Sequence, residues 1–124
     1  MKPLFAIIVA ALALTAQAAA KKSTTVVPIV LYSYGYAPAP IVLKAGRPVT
    51  MVFSNRSDDG HTFKAQAFFR SARILSGMPH DGEIHLKAGQ STSVTLIPAR
   101  GTYRVHCSHF FHDQLGMNTK LYVQ

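Results

Sequence analysis

Short β-type segments separated by glycine and proline constrain this chain more than any other feature of its sequence. Residues 24–34 are rich in β-branched and aromatic side chains, and residues 102–107 alternate so that Tyr103, Val105 and Cys107 face one way. Similar short runs recur at 41–44, 49–53, 82–86, 92–97 and 120–123. About seven strands at such regular spacing predict an all-β fold of the β-sandwich type.

One segment departs from this pattern. Phe68, Ala72 and Leu75 recur at helical spacing within residues 68–75. We therefore expect at most one short helix beside the strands.

The first twenty residues differ in composition from the rest of the chain. Lys2 supplies a positive charge, eleven apolar residues follow at 4–14, and small residues surround Ala18 and Ala20. This is the three-part pattern of a secretory signal, and eleven apolar residues are too few to span a bilayer. We expect a signal peptide at 1–20, a single domain at 21–124, no stable membrane anchor, and a periplasmic or secreted mature protein.

The chain is basic, with a formal net charge of +8 that becomes +7 once a leader carrying Lys2 is removed. Such a balance is compatible with nucleic acid, an anionic membrane or an acidic protein as partner. Export argues against nucleic acid, and the basic residues are scattered along the chain. The partner to consider is therefore a protein with an acidic surface. The alternative interpretation is that the basic surface serves solubility alone.

Cys107 is the only cysteine in the sequence, so no internal disulfide forms. A lone thiol in an oxidising compartment is protected when it is buried or bound to a metal. Cys107 ends a strand and opens a loop in which His112 and Met117 follow at equal spacing before the last strand. A loop of this length can fold back so that the three side chains converge.

Thiolate, imidazole and thioether together form a soft ligand set that selects copper. A blue-copper centre has two histidines and a cysteine in a plane with a weak axial methionine. His61 fits as the second histidine because it follows a loop and opens a strand. The sequence thus predicts one copper ion per chain, held by His61, Cys107, His112 and Met117. The competing interpretations are a small buried hydrophobe for Cys107 and a core residue for Met117.

The window 101–123, with its Cys-x4-His-x4-Met spacing, resembles the C-terminal copper loop of the plastocyanin/azurin family of cupredoxins. Residues 48–55, followed by His61, Thr62 and Phe63, are similar to that family's central strand and N-terminal histidine ligand. The resemblance covers residues 24–124. It implies a Greek-key β-sandwich with the copper site at one end, and electron transfer to a redox partner rather than catalysis.

One residue departs from the family pattern. Many members carry asparagine directly after the first histidine ligand, where it bonds to the cysteine loop, whereas this chain has Thr62. Thr62 and Ser108 can still pair through their hydroxyls, so the tuning of the site by its outer partners differs from that of the family.

Four further histidines lie outside the predicted ligand set. His106 alternates out of phase with Cys107 and should face away from the site. His109 lies inside the loop, as a rim residue, a proton-sensitive neighbour or a competing ligand. His80 and His85 flank two acidic residues in a mixed tract that is either a solvated loop or a second metal site.

Phe110 and Phe111 directly precede His112. Two adjacent phenylalanines in a loop predict either an apolar rim for docking a partner or a lid that packs inward over the metal.

Three functions remain open beside an electron carrier that cycles between Cu(I) and Cu(II). A copper-handling protein would bind, store or deliver the ion through a copper-exchange partner. A catalytic, nitrosocyanin-like copper site would need an open position, with Glu83, His85 or His109 in place of Met117. A cupredoxin-like domain without metal would serve as a binding module.

Overall fold

The computed structural model of the protein describes residues 24–109 and 111–124. The expected signal peptide at 1–20 and Phe110 lie outside the described residues. No helix within the described ranges is long and apolar enough to cross a membrane.

Two five-stranded sheets pack against each other, and the predicted all-β sandwich is confirmed. One sheet has the order β2-β1-β4-β8-β6 and the other the order β3-β10-β9-β5-β7. The elements in this part of the chain are β1 (Thr25–Tyr32), β2 (Gly35–Ala37), β3 (Ile41–Leu43), β4 (Val49–Asn55), β5 (His61–Lys64), α1 (Gln66–Ser71), β6 (Arg73–Ser76), β7 (Glu83–Leu86), β8 (Ser91–Ile97), β9 (Gly101–His106) and β10 (Asn118–Val123).

The described ranges hold ten strands where the sequence predicted about seven. Two short strands lie where no strand was predicted: β2 has three residues and β6 has four. Segments of this length carry too few residues for a period-two pattern to show.

The predicted helix at 68–75 is partly wrong. Helix α1 covers Gln66–Ser71 and ends at Ala72, which adopts an extended conformation. The next residues form β6, where Arg73 and Ile74 pair with β8. Leu75 is exposed, so the helical spacing from Phe68 to Leu75 did not mark a buried face. Backbone pairing with β8 outweighed the local helical pattern.

The core lies between the sheets and follows the period of the strands. Alternate residues of β4, including Met51 and Phe53, are buried, and the Phe53 ring packs on Phe63 of β5 with centroids 4.8 Å apart. Val94 and Leu96 of β8 are both buried, as their alternation predicts.

Strand order in the second sheet determines where the predicted ligands lie. Strands β5, β9 and β10 are neighbours, and β9 runs antiparallel to both. The start of β5, the end of β9 and the start of β10 therefore meet at one end of the sandwich. His61 opens β5, Cys107 follows β9 and Met117 precedes β10.

Candidate metal centre

His61, Cys107 and His112 converge at this end of the sandwich. Their donor atoms all lie within 4.8 Å of one another. The two Nδ1 atoms are 3.2 Å apart, and the Cys107 Sγ is 3.5 Å from the His112 Nδ1. Donors that share one ion at about 2.0–2.3 Å lie roughly 3–4 Å from each other. The two printed donor distances fall within this range, and the group as a whole is compact enough to hold one metal ion.

Met117 is fully buried beside this group. Its backbone links the other loop residues, because the Cys107 amide donates to the Met117 carbonyl at 3.0 Å and the Met117 amide donates to the His112 carbonyl at 3.0 Å. With Met117 at this position, the four residues are placed to bind one copper ion, and the donor set is the soft one that copper prefers.

The loop that carries His112 is held by turns and by one acidic side chain. Gly116 has φ of +96°, a conformation that glycine adopts without strain. Asp113 pairs with Arg104 of β9 and also accepts a hydrogen bond from the Asn118 Nδ2 at 3.1 Å. These contacts tie the middle of the loop to the two strands that flank it.

Thr62 and Ser108 form the hydroxyl pair that the sequence suggested, with 3.0 Å between their oxygens. The Ser108 amide also donates to the Thr62 Oγ1 at 2.7 Å. The Cys107 Sγ lies 3.4 Å from the Thr62 amide and 3.7 Å from its hydroxyl. Thr62 is fully buried, and these hydrogen bonds connect β5 to the cysteine loop. In the family pattern this connection is expected of asparagine.

Two residues of the β1–β2 turn complete the site, and sequence analysis missed both. The Ser33 hydroxyl lies 2.8 Å from the His61 Nε2, which directs the opposite ring nitrogen towards Cys107 and His112. The Tyr34 ring packs edgewise against both imidazoles, with centroids 5.0 Å from His112 and 6.1 Å from His61. Neither contact has a local signal, since the turn lies 28 residues from His61 along the chain.

The loop between β4 and β5 supplies a carboxylate. Asp59 lies 3.6 Å from the outer Nε2 of His112, whose side chain is only 12% exposed. Buried Asn55 organises this loop, because its Nδ2 donates to the Asp59 carbonyl at 2.8 Å and its Oδ1 accepts from the Ser57 amide at 3.0 Å. This contribution was also missed, although an asparagine that ends a strand is a common turn signal.

Burial lowers the pKa of His61 from its usual value of 6.5, and the neighbouring charge of His112 lowers it further. The imidazole is thus kept neutral near pH 7, and the neutral form is the one that binds metal.

The remaining histidines stay outside the donor group of His61, Cys107 and His112. His106 is half-buried, and burial followed by the charge of Arg104 lowers its pKa. The His109 ring lies between His112, at 5.4 Å between centroids, and His85, at 5.1 Å.

A β-sandwich that gathers two imidazoles, a thiol and a buried methionine at one end defines a cupredoxin-type copper protein. Comparison with known families agrees. The chain belongs to the cupredoxin-like domain family, whose profile matches residues 4–123. No curated protein sequence matches the chain.

Solved structures share the fold at low sequence identity. Auracyanin from Roseiflexus castenholzii is 22% identical, with a TM-score of 0.60 over 82% of this chain and 98% of its own. Auracyanin A from Chloroflexus aurantiacus, described as a blue copper protein, is 19% identical, with a TM-score of 0.58 over 82% and 100% of the two chains. A multicopper oxidase from Campylobacter jejuni is 12% identical, with a TM-score of 0.63 over 84% of this chain but 31% of its own.

Proposed function

We propose that the protein is an exported electron carrier with one type 1 copper ion, held by His61, Cys107, His112 and Met117. The observation that carries the proposal is the spacing of the donor atoms, with 3.2 Å between the two Nδ1 atoms and 3.5 Å from one of them to the sulfur. When bound, copper supplies one-electron cycling between Cu(I) and Cu(II).

The chain's own residues hold the coordination geometry constant. Ser33 and Thr62 orient His61 and the cysteine loop, and both act from strands or tight turns rather than from long flexible segments. A site that is held in one arrangement for both oxidation states transfers an electron with little rearrangement, which is what a carrier needs.

A carrier is favoured over an enzyme because a buried methionine is available as the fourth ligand. Buried Met117 lies beside the donor group, and within the described ranges that group includes none of Glu83, His85 and His109. The auracyanin matches extend over nearly the whole of those proteins, whereas the multicopper oxidase shares the fold over about a third of its length.

Export and processing follow from the leader. We propose that residues 1–20 are a signal peptide and that residues 21–124 form the mature periplasmic or secreted domain. Mass spectrometry of the exported protein should show an N-terminus between Ala19 and Lys21, and an intact Met1 would contradict this proposal.

The partner would dock on the loop beside His112. Phe111 and Leu115 of this loop are each 57% exposed and give it an apolar surface. The basic net charge favours a partner with an acidic surface. With anionic ferricyanide as a defined oxidant, the rate should fall as salt is added. A rate that rises with salt would contradict this steering.

Spectroscopy of the mature protein loaded with Cu(II) tests the central proposal. Charge transfer from the Cys107 sulfur should give an intense blue band and a paramagnetic-resonance signal with narrow hyperfine splitting at one copper per chain. Cys107→Ser should abolish the colour, because oxygen does not replace the soft sulfur. Met117→Leu should keep the colour and raise the reduction potential, since loss of the axial donor disfavours Cu(II).

The outcome against the proposal is equally definite. A colourless protein that binds copper as tightly after Cys107→Ser would show that the thiolate is not a ligand, and the carrier function would then fail.

A further inference from the structure

We propose that His85 and His109 form a second, solvent-facing copper site, from which the ion enters the main centre. The ring centroids of this pair are 5.1 Å apart with an interplanar angle of 63°. The corresponding values for His61 and His112 are 4.9 Å and 54°. The outer pair therefore has nearly the same spacing as the two imidazoles that converge at the main centre.

His85 reaches solvent from the edge of the second sheet. It lies on β7 opposite Thr62, and its side chain is exposed while its neighbours Ile84 and Leu86 are buried. Glu83 leaves the same face of β7 two residues earlier, and Lys64 lies opposite it on β5, so their charges offset each other and the two imidazoles are the donors that define the site. A cavity of about 550 Å³ opens beside the Glu83 and His85 side chains, so water can reach the His85 side of the pair.

His109 is held in place by the loop around it. Its carbonyl accepts a hydrogen bond from the His112 amide at 3.1 Å. Its Cε1 lies 3.1 Å from the position that a Cβ on Gly60 would occupy, so the ring packs closely over a residue without a side chain. These backbone contacts fix the position of the ring.

The two sites lie in series. The His109 ring is 5.4 Å from the His112 ring, and the His112 Nδ1 belongs to the main donor group. Imidazole nitrogens bind Cu(II) more strongly than they bind the other common divalent ions. The outer site would fill first because His85 is exposed to solvent, whereas His61 and Cys107 are buried. Two imidazoles with water hold an ion less tightly than the buried four-residue set, so the ion would then pass inward. No electron moves in this step.

This inference goes beyond electron carriage, and only its second half rests on the proposed main centre. The first experiment uses the blue holoprotein with its centre already filled. A second equivalent of Cu(II) should bind and add a paramagnetic-resonance signal with wide hyperfine splitting, typical of nitrogen and oxygen ligands, while the blue band persists.

His85→Ala should lower the affinity for this second Cu(II) at least about tenfold. Loss of even an outer partner of a metal site lowers metal affinity by about 10- to 100-fold. The matched control is His80→Ala. His80 lines the same cavity but is 92% exposed and lies 3.3 Å from Asp81, so its loss should leave the second affinity unchanged.

The second experiment measures how fast the blue colour appears when Cu(II) is added to the metal-free protein. His85→Ala should slow this several-fold without lowering the final intensity, and His80→Ala should not. The outer site is refuted if the blue holoprotein binds no second Cu(II), or if His85→Ala binds it with the same affinity. Neither result bears on the blue centre. If His85→Ala leaves the rate at which the blue colour appears unchanged, the entry path is refuted. A protein that is never blue contradicts the proposed function instead, and the effect of His85→Ala on Cu(II) binding still decides the outer site.

Discussion

Replacing the hydroxyl of Thr62 by a methyl group should destabilise the protein without emptying the site. Thr62→Val keeps the volume of this fully buried side chain but removes the acceptor that lies 2.7 Å from the Ser108 amide. A backbone donor left without its partner costs about 1–3 kcal/mol. The exposed Ser108 hydroxyl can rebind water, so the amide dominates the expected loss of about 2 kcal/mol.

Thermal unfolding of the metal-free domain measures this loss. For a domain of roughly 100 residues, about 2 kcal/mol corresponds to a fall in Tm of about 10 °C. Thr62→Ser is the matched control, because it keeps the hydroxyl and loses one methyl group, at about 0.8 kcal/mol plus a small cavity cost. The serine variant should therefore unfold several degrees above the valine variant.

The reduction potential of the blue protein separates this explanation from a general packing defect. The Thr62 hydroxyl lies 3.7 Å from the Cys107 sulfur, and hydrogen bonding around that sulfur tunes the potential. Thr62→Val should lower the potential, because a sulfur with fewer donors supports Cu(II) better, and Thr62→Ser should not. A valine variant as stable as the serine variant, with an unchanged potential, would refute the role assigned to this hydroxyl.

Three further predictions concern the ligands and the loop. Ser33→Ala should weaken copper binding by about 10- to 100-fold in a chelator competition, because the His61 ring loses the partner that orients it, and an unchanged affinity would contradict that role. The free energy of unfolding of the metal-free protein should rise as pH rises towards 6.5 and stay constant above that. The pKa values of His61 and His106 are lowered, so the native state binds fewer protons than the unfolded state in this range. Urea titrations with equal midpoints at pH 5 and pH 8 would count against this prediction. Gly116→Ala should destabilise the protein by about 1 kcal/mol through its φ of +96°, because among the described residues no atom beyond the chain neighbours lies within 4 Å of the added Cβ. A neutral result in thermal unfolding would show that the loop relaxes.

The sequence by itself determined the fold class and the donor chemistry. Alternation over residues 102–107 placed Val105 and Cys107 on the inward face, and both are buried. The equal spacing of Cys107, His112 and Met117 before the last strand predicted that they lie together. These inferences held because they depend on short-range periodicity and on the softness of the donor atoms, and both can be read from the residues themselves.

Only the tertiary structure decided how the ligands are supported and covered. Ser33 and Tyr34 reach the site from a turn in the opposite sheet, and Asp59 reaches it from the loop after β4. The same holds for β6, which replaced the end of the predicted helix through pairing with β8. Such contacts join residues that are far apart along the chain, and their positions follow from strand order and register. No local pattern encodes a partner that becomes a neighbour only when the two sheets pack.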